Sequence, residues 1–371
     1  MATEPFKILS IDGGGIRGVF PAMVLANLEA ELKAKGVENW HIYQNFDLIC
    51  GTSTGGIIAI GLGLGIPAKE IYELYLQNAH TIFGGKRHWS RQLFVSGHER
   101  NSLERLIRDK FKEVKNDEDP RLLDCKTGVA VPIYDLLEGR PSVLKSKYHE
   151  AFVRDYHIPA YQAALATSAA PTYFDPYSSS YIDLKGIEQP FQNKIDGGVF
   201  ANNPTLNGII EAQKAFNVEL KDIAVLSLGT GHQKFCDAGI KTNNGVINKV
   251  LQLLSIQKKT KLRSKFGIWY WMMADDKKRL IDLFMQGQSQ QVQNLISLMK
   301  NGIDRREPDN FTYIRIDTQL DDSCKIEMDE TDKVKIHKLA EKATIEFQNN
   351  ATIIIKNFGS GKRRIDSLKT V

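Results

Sequence analysis

Phe46-Asp47-Leu48-Ile49-Cys50-Gly51-Thr52-Ser53-Thr54-Gly55-Gly56-Ile57-Ile58-Ala59-Ile60 joins one apolar run to another through Gly51-Thr52-Ser53-Thr54-Gly55. Outward from Ser53 this reads as a buried strand, a G-x-S-x-G turn and a helix. Glycines on either side of the serine let the chain turn sharply, which pushes Oγ out to where a substrate can meet it. The turn also sets Oγ at a helix N-terminus, where unpaired N–H groups favour developing negative charge. Strand–glycine–helix junctions are common, so this pattern alone leaves a plain structural turn as an equal reading.

The neighbouring segments shift that balance. Upstream, Lys7-Ile8-Leu9-Ser10-Ile11 reads as a buried strand running into Asp12-Gly13-Gly14-Gly15-Ile16-Arg17-Gly18, with an apolar helix from Val19 to Leu32 behind it. Consecutive glycines leave backbone N–H groups uncovered, and with Arg17 beside them such a loop can hold an oxyanion or a phosphate. Gly13, Gly15 and Gly18 also satisfy G-x-G-x-x-G. A dinucleotide site, however, wants a carboxylate at the end of the next strand, whereas Glu29 and Glu31 fall inside the first helix. Downstream, Asn193-Lys194-Ile195-Asp196-Gly197-Gly198 precedes Val199-Phe200-Ala201-Asn202-Asn203-Pro204. Asp-Gly by itself is a frequent turn pair. Three such elements, each closing a predicted strand, are what a parallel α/β enzyme shows along its ligand-binding edge.

Periodicity predicts strands near 7–11, 46–50, 129–134, 193–196, 223–228 and 311–316, and helices near 19–34, 55–65, 68–81, 101–114, 159–168 and 204–216. This alternation argues a three-layer α/β/α fold with a mostly parallel central sheet covered on both faces. Gly56, Gly61, Gly63 and Gly65 weaken the helix behind Ser53, which points to close packing against the sheet. Further helical patterns run over 244–260, 277–300 and 331–356. The expected organisation is a catalytic core over 1–235, a helical region over 236–358 completing the same domain, and a flexible basic tail over 359–371 opening with Gly359-Ser360-Gly361-Lys362-Arg363-Arg364.

Composition sets the outer limits. The chain has 371 residues, 49 Lys and Arg against 44 Asp and Glu, and a net charge of only +5, compatible with an anionic interface without demanding one, and no nucleic-acid polymer is expected as a partner. Cys50, Cys125, Cys236 and Cys324 are scattered without a C-x-x-C pair and read as reduced thiols. Met1-Ala2-Thr3-Glu4-Pro5 carries no basic, apolar leader, and no apolar run reaches the roughly 18 residues that span a bilayer. The expectation is a cytoplasmic protein that meets membranes at their inner surface. His41, His80, His88, His98, His149, His157 and His337 have no metal-ligand spacing, and neither a metal nor another cofactor is expected.

Asp12-Gly13-Gly14-Gly15-Ile16-Arg17-Gly18, Gly51-Thr52-Ser53-Thr54-Gly55 and Asp196-Gly197-Gly198 together make the chain resemble the patatin-like phospholipase family, over about residues 6 to 235. Thr167-Ser168-Ala169-Ala170-Pro171-Thr172-Tyr173-Phe174-Asp175-Pro176 resembles a further block between the second and third motifs. The resemblance implies a lipid acyl hydrolase acting on membrane phospholipid through a Ser–Asp dyad. Ser53 would be the nucleophile and Asp196 the base, and the Gly13, Gly14 and Gly15 amides would form the oxyanion hole. Asp12, Arg17, Gly18, Gly51, Gly55, Gly197 and Gly198 would support them. Chemically, a serine hydroxyl attacks only when a base takes its proton. A lone aspartate with a pKa near 4 is a weak base that burial must raise.

Two other classes remain open. His232, at the end of the predicted strand Ile223-Ala224-Val225-Leu226-Ser227-Leu228, could complete a Ser53–Asp196–His232 triad of α/β-hydrolase type. A non-catalytic lipid- or nucleotide-binding module would use the glycine loop as an anion cradle. Two basic segments have either structural or regulatory readings. Gly84 to Arg100 is a solvated loop or an anion site, and Lys265 to Met273 is buried aromatic core or an interfacial lid. Within the family, the overall layout resembles bacterial effector phospholipases of antiviral signalling. That implies activation by a cyclic dinucleotide and homo-oligomer assembly on binding it.

Overall fold

The computed structural model describes residues 4–83, 100–232, 279–301, 309–320 and 325–368. Its centre is one eight-stranded sheet: β1 (Phe6–Ile11), β2 (Leu48–Gly51), β3 (Gly128–Asp135), β4 (Arg140–Lys145), β5 (Tyr177–Ile182), β6 (Glu188–Asp196), β7 (Ile223–Leu228) and β8 (Thr312–Ile316). The order is β5-β6-β3-β2-β1-β7-β8, with β4 also paired to β3. From β3 to β8 every neighbour is parallel, while β4, β5 and β6 join antiparallel.

Alternation along β1 separates two cores. Leu9 and Ile11 face one layer with Ile49, Val129 and Leu226, and Phe6 and Ile8 face the other with Leu48, Cys50 and Val225. The first layer is covered by α1 (Val19–Ala34), by α3 (Thr54–Leu64) beyond the short α2 (Ile42–Asn45), and by α4 (Ala68–Phe83), α5 (Asn101–Lys112) and α6 (Ala160–Thr167). The second is covered by α8 (Thr205–Ala215), which follows the single turn α7 (Gly198–Ala201), and by α9 (Arg279–Asn301), whose Ile296 is fully buried. α10 (Lys333–Phe358) lies along α1, buries Ile336, Leu339, Ala343 and Phe358, and is capped by the Asp332 side chain accepting from the Val334 N–H. Ile336, Leu339 and Phe358 each contribute about 1.5–3 kcal/mol on burial, which explains why a helix this long stays in place.

The topology at β3 decides where the chemistry sits. β4 pairs with residues Ala130–Asp135 and so takes one whole edge. The other edge is shared: β2 runs parallel beside Gly128–Ala130, and β6 runs antiparallel beside Ile133–Asp135. β2 and β6 therefore approach from opposite directions, and their C-terminal ends meet. Pro132, with no N–H to offer, stands in the gap between the two ladders. With Cys50 level with Ala130 and Asp196 level with Ile133, the turn after β2 lies opposite the end of β6. The strand carrying Asp196 is thus antiparallel, not one of the parallel set anticipated, yet it delivers Asp196 to the same rim.

Two strands had no forecast. β4 and β5 read Arg-Pro-Ser-Val-Leu-Lys and Tyr-Ser-Ser-Ser-Tyr-Ile and lack an apolar run because they lie outside the buried centre. β6 starts at Glu188, not near 193, for the same reason. The expected free tail from Gly359 is docked instead. The buried Lys7 Nζ donates to Ser360 Oγ (2.6 Å) and Lys362 O (3.1 Å), the Gly361 N–H donates to Asn45 Oδ1 (2.9 Å), and the Ile365 N–H donates to Asp47 Oδ1 (2.8 Å). Arg363 donates to the Tyr43 and Lys126 carbonyls, and α11 (Arg364–Leu368) ends the segment. Composition alone hides this, because the partners are main-chain groups together with Lys7, Asn45 and Asp47 from the first fifty residues. Gly56 and Gly63 do pack closely: a Cβ on them would lie 2.5 Å from Thr167 Cγ2 and 2.4 Å from Val129 Cγ2. Residues 84–99, the window 265–273 and the helix expected over 244–260 lie outside the described residues.

Candidate active site

Ser53 stands between β2 and α3 with φ 56 and ψ −124. A non-glycine residue in that region carries about 1–3 kcal/mol of strain, which the surroundings must hold. They do so through a set of threonines. The Ser53 N–H donates to Thr167 Oγ1 at 3.3 Å, and the Thr167 hydroxyl donates to the Pro132 carbonyl at 2.7 Å. On either side of Ser53, Thr52 donates to Ala201 O and Thr54 to the buried Tyr75 hydroxyl at 2.7 Å. Gly51 and Gly55 meet across the turn, and a Cβ on Gly55 would lie 2.3 Å from Ile11 O. Only glycine lets α3 begin this close to the end of β1.

The loop after β1 faces the same turn. The Asp12 N–H donates to Leu228 O, Gly13 to Asn202 O at 3.1 Å, Ile16 to Met328 O at 2.8 Å, and Arg17 to Gly14 O through both its amide and Nε. Among the described residues the amides of Gly14 and Gly15 are left without a partner. The three-glycine array is thereby narrowed, since the Gly13 N–H is engaged. Gly15 has φ +60, and a Cβ there would lie 2.2 Å from Met328 O. Gly18 abuts Thr54 at the start of α1. Arg17 braces the loop and does not line the cavity below.

Asp196 is 2% exposed. Its Oδ1 accepts from the Gly198 N–H at 2.6 Å, its own N–H donates to Ala169 O at 3.0 Å, and Oδ2 has no hydrogen-bond partner among the described residues. Gly197 packs against Pro132, where a Cβ would meet the carbonyl at 2.3 Å. Burial pushes the Asp196 carboxyl up to about 7, while the Ser53 hydroxyl and the Gly198 amide beside it pull the other way. The Ser53 hydroxyl is thus near enough to Asp196 to favour its charged form, which sets the two groups side by side.

Behind the glycine loop lies a buried ion cluster. Arg315 on β8 grips Asp12 with both ends of its fork (2.9 and 2.7 Å), donates to Asp317 Oδ2 at 2.9 Å and reaches Ser227 Oγ at 2.8 Å. Burial raises the Asp12 pKa and Arg315 opposes it, whereas Asp317 is held at about 2 against burial by Arg315 and by His232. The guanidinium is kept charged by the two carboxylates it bridges. α9 closes over it: Ser289 Oγ donates to Asp12 Oδ2 at 3.4 Å, and the Asn202 N–H donates to Gln288 Oε1. Breaking a buried pair leaves an uncompensated charge. Arg315→Met should therefore lower the unfolding free energy by about 3–5 kcal/mol in urea titrations.

Gly15, Ser53, Asp196 and Gly198 open onto one cavity of about 210 Å³. Its walls are Ile57, Ile82, Leu103, Tyr173, Phe174 and Met328, and the exposed Val199 and Phe284 lie at its margin. The arrangement brings together a hydroxyl, a carboxylate raised to about 7, an apolar chamber and the Gly15 amide, which has no partner among the described residues, with Gly14 next to it in the loop. Such a set can transfer a proton from the hydroxyl, hold an oxyanion and shelter a long apolar group. His232 is not part of it: it is 39% exposed, lies 3.6 Å from Asp317 through Nδ1 and does not line the cavity. Among the described residues no group of three His, Cys, Asp or Glu could hold a metal. Asn202, Thr167, Arg315 and Thr230, whose hydroxyl donates to Gly13 O at 2.9 Å, were not anticipated in these roles. Arg315 had a signal, being the one charge inside the apolar run Thr-Tyr-Ile-Arg-Ile.

Comparison with known proteins identifies the family. The family model described as patatin-like phospholipase matches residues 9–208. A cGAMP-activated phospholipase of Escherichia coli is 34% identical over 60% of this chain and 62% of its own, so this chain spans under two thirds of that relative's length. Patatin-like protein 3 of Arabidopsis thaliana is 29% identical over 88% of this chain and 76% of its own. The crystal structure of VipD from Legionella pneumophila shares 13% identity over 94% of this chain and 67% of its own at a TM-score of 0.39, too remote a likeness to argue from. The chain belongs to the patatin-like phospholipase family.

Proposed function

We propose that this chain is a lipid acyl hydrolase that cleaves phospholipid ester bonds through an acyl-enzyme on Ser53, with Asp196 as the base. The observation that carries the reading is the buried Asp196 carboxylate, raised to about 7, sharing an apolar cavity with a strained serine. Ser53 Oγ attacks the ester carbonyl as its proton passes to Asp196. The oxyanion falls to the Gly14 and Gly15 amides, each worth about 3–4 kcal/mol at the transition state. The proton then leaves with the alcohol or lysolipid. The ion cluster of Arg315, Asp12 and Asp317 supports the glycine loop from behind and keeps its amides aimed. The apolar chamber takes the acyl chain. The lipid is met at a membrane surface, with the exposed Val199 and Phe284 at the cavity margin facing it.

The name of the Escherichia coli relative extends the proposal to control. A cyclic dinucleotide would switch the enzyme on, and the chain would assemble into a homo-oligomer as it binds. The test is mass spectrometry of products from a bacterial lipid extract, with and without a panel of cyclic dinucleotides and with light scattering on the same samples. Lysolipid and free fatty acid released only with one nucleotide, together with a rise in mass, support both parts. Full turnover without nucleotide removes the switch, and no lipid product under any condition removes the reading. The triad alternative has its own check. His232→Ala should keep kcat within about threefold of the parent, whereas loss of a triad base costs about 10³-fold or more.

A further inference from the structure

Two buried side-chain oxygens beside the serine accept no hydrogen bond among the described residues: Asp196 Oδ2 and Asn202 Oδ1. Asn202 is 6% exposed. Leaving an amide oxygen buried and unpaired costs about 1–3 kcal/mol, so such an atom marks a place where a donor belongs. Two glycines locate it. A Cβ on Gly13 would lie 2.5 Å from Asn202 Oδ1 and 3.1 Å from Ser53 Cβ, and one on Gly198 would lie 3.0 Å from Asp196 Oδ1 and 3.4 Å from Asn202 Oδ1. The amide oxygen therefore lies against the Gly13 and Gly198 backbone on the side of the serine and the carboxylate, just behind the wall of the cavity.

Its orientation follows from the network behind it. The Asn202 main chain is held at both ends, N–H to Gln288 Oε1 and C=O from the Gly13 N–H, and its Nδ2 donates to Ser289 Oγ at 3.0 Å. Ser289 has a single hydroxyl hydrogen, which goes to Asp12 Oδ2. Asp12, ion-paired with Arg315, can only accept. Ser289 must then receive from Asn202, so the amide nitrogen faces Ser289 and the oxygen faces the serine.

We infer that Asn202 Oδ1 and Asp196 Oδ2 are a matched acceptor pair for the hydrolytic water of deacylation, an assignment that rests on the Ser53–Asp196 reading above. Water has two protons and the pair has two acceptors, which turns an oxygen lone pair toward the acyl carbon on Ser53. The water oxygen bonds to that carbon as one proton passes to Asp196. The second proton stays on the new hydroxyl, bonded to Asn202. Collapse breaks the carbon–Oγ bond, Asp196 returns its proton to Ser53, and a free carboxylic acid leaves. An alcohol has one such proton, which Asp196 takes, so Asn202 would be left unpaired. Asn202 is on this account the catalytic residue that favours hydrolysis over acyl transfer.

The test uses Asn202→Leu, which keeps the shape without the acceptor, and Ser289→Ala, which leaves Asn202 present but free to flip. Both are run in the full chain on p-nitrophenyl butyrate, with and without methanol, under the conditions that give lipid turnover. Asn202→Leu should cut steady-state turnover about 100-fold, the scale of a misplaced reactant. It should keep a stoichiometric p-nitrophenol burst, accumulate an acyl adduct on Ser53 by intact mass, and raise the methyl-ester share of product. Fluorophosphonate labelling, which needs no water, should stay within a few-fold of the parent. Ser289→Ala should move the same readouts less. Turnover and labelling falling in parallel in both variants, or an unchanged methyl-ester share in both, would overturn the inference. An unlabelled Ser53 in the parent protein would instead overturn the hydrolase reading, and the inference with it.

Discussion

Ser53→Ala is expected to abolish lipid hydrolysis, by at least about 10⁴-fold in kcat, because removing the nucleophile costs as much as removing the whole catalytic set. Stability should barely change. The Ser53 side chain does not cap α3, whose first turn is closed by main-chain groups, so the start of the helix is kept. Thermal melts should agree within about 2 °C, since a change near 0.5 kcal/mol moves Tm by little at this size. Preserved melting with lost product separates chemistry from folding. Residual hydrolysis within tenfold of the parent would remove Ser53 from the reaction.

Asp196→Asn carries the second large effect, and it has two opposite signs. Activity should fall about 10³–10⁴-fold, as expected when a general base is lost. For the parent enzyme the base must be ionised, so kcat/KM should rise with pH through an inflection near 7 and level off above it. Stability should move the other way. Asp196 has its folded pKa raised from 3.8 to about 7, so the native state holds the proton more tightly than the unfolded chain. Its contribution is therefore most favourable below pH 3.8 and is lost as pH rises toward 7. An asparagine cannot ionise, so Asp196→Asn should be more stable than the parent at pH 8, by up to about 4 kcal/mol. The gain should shrink toward zero near pH 4. Equal melting of the two proteins at every pH would show that Asp196 is not a strained, buried base.

The sign of that stability effect reflects the layout of β3. A carboxylate is normally placed where water or a cation can reach it. Asp196 is sealed because β6 ends head-on against the turn after β2, in the gap beside Pro132. That gap could not be read from the sequence. The Ser53 turn, the glycine loop and the Asp196 turn were each legible locally, because glycine spacing and apolar runs are short-range signals. That β2 and β6 share one edge of β3 depends on pairing between segments far apart in the chain, so the antiparallel arrival of β6 stayed hidden. β4 and β5 are local hairpin partners of β3 and β6 and stayed hidden because they carry no apolar run.

Side-chain chemistry divides the same way. Gly13, Gly14 and Gly15 looked equivalent as a run of glycines, and only the Asn202 carbonyl distinguishes the first from the others. Asn202 stood in plain view six residues after Asp196, but nothing nearby reveals that its amide is aimed by Ser289, itself turned by Asp12 and Arg315. Arg315 lies outside residues 9–208, the part shared with the family model, yet it supports the loop with which that part begins. The docked segment after Gly359 teaches a similar lesson: a Gly-Ser-Gly-basic composition reads as solvent-exposed until a buried lysine and an aspartate far away in sequence are seen to need it.

The central claim, that Asp196 activates Ser53 inside an apolar chamber, has one direct measurement: the rate and position of fluorophosphonate labelling, mapped by peptide mass spectrometry, in the parent and in Asp196→Asn. The account predicts a single label on Ser53 in the parent, forming faster above pH 7 than below it, and at least about 100-fold slower labelling in the variant. A label on another residue, or an Asp196→Asn protein labelled at the parental rate, would contradict it.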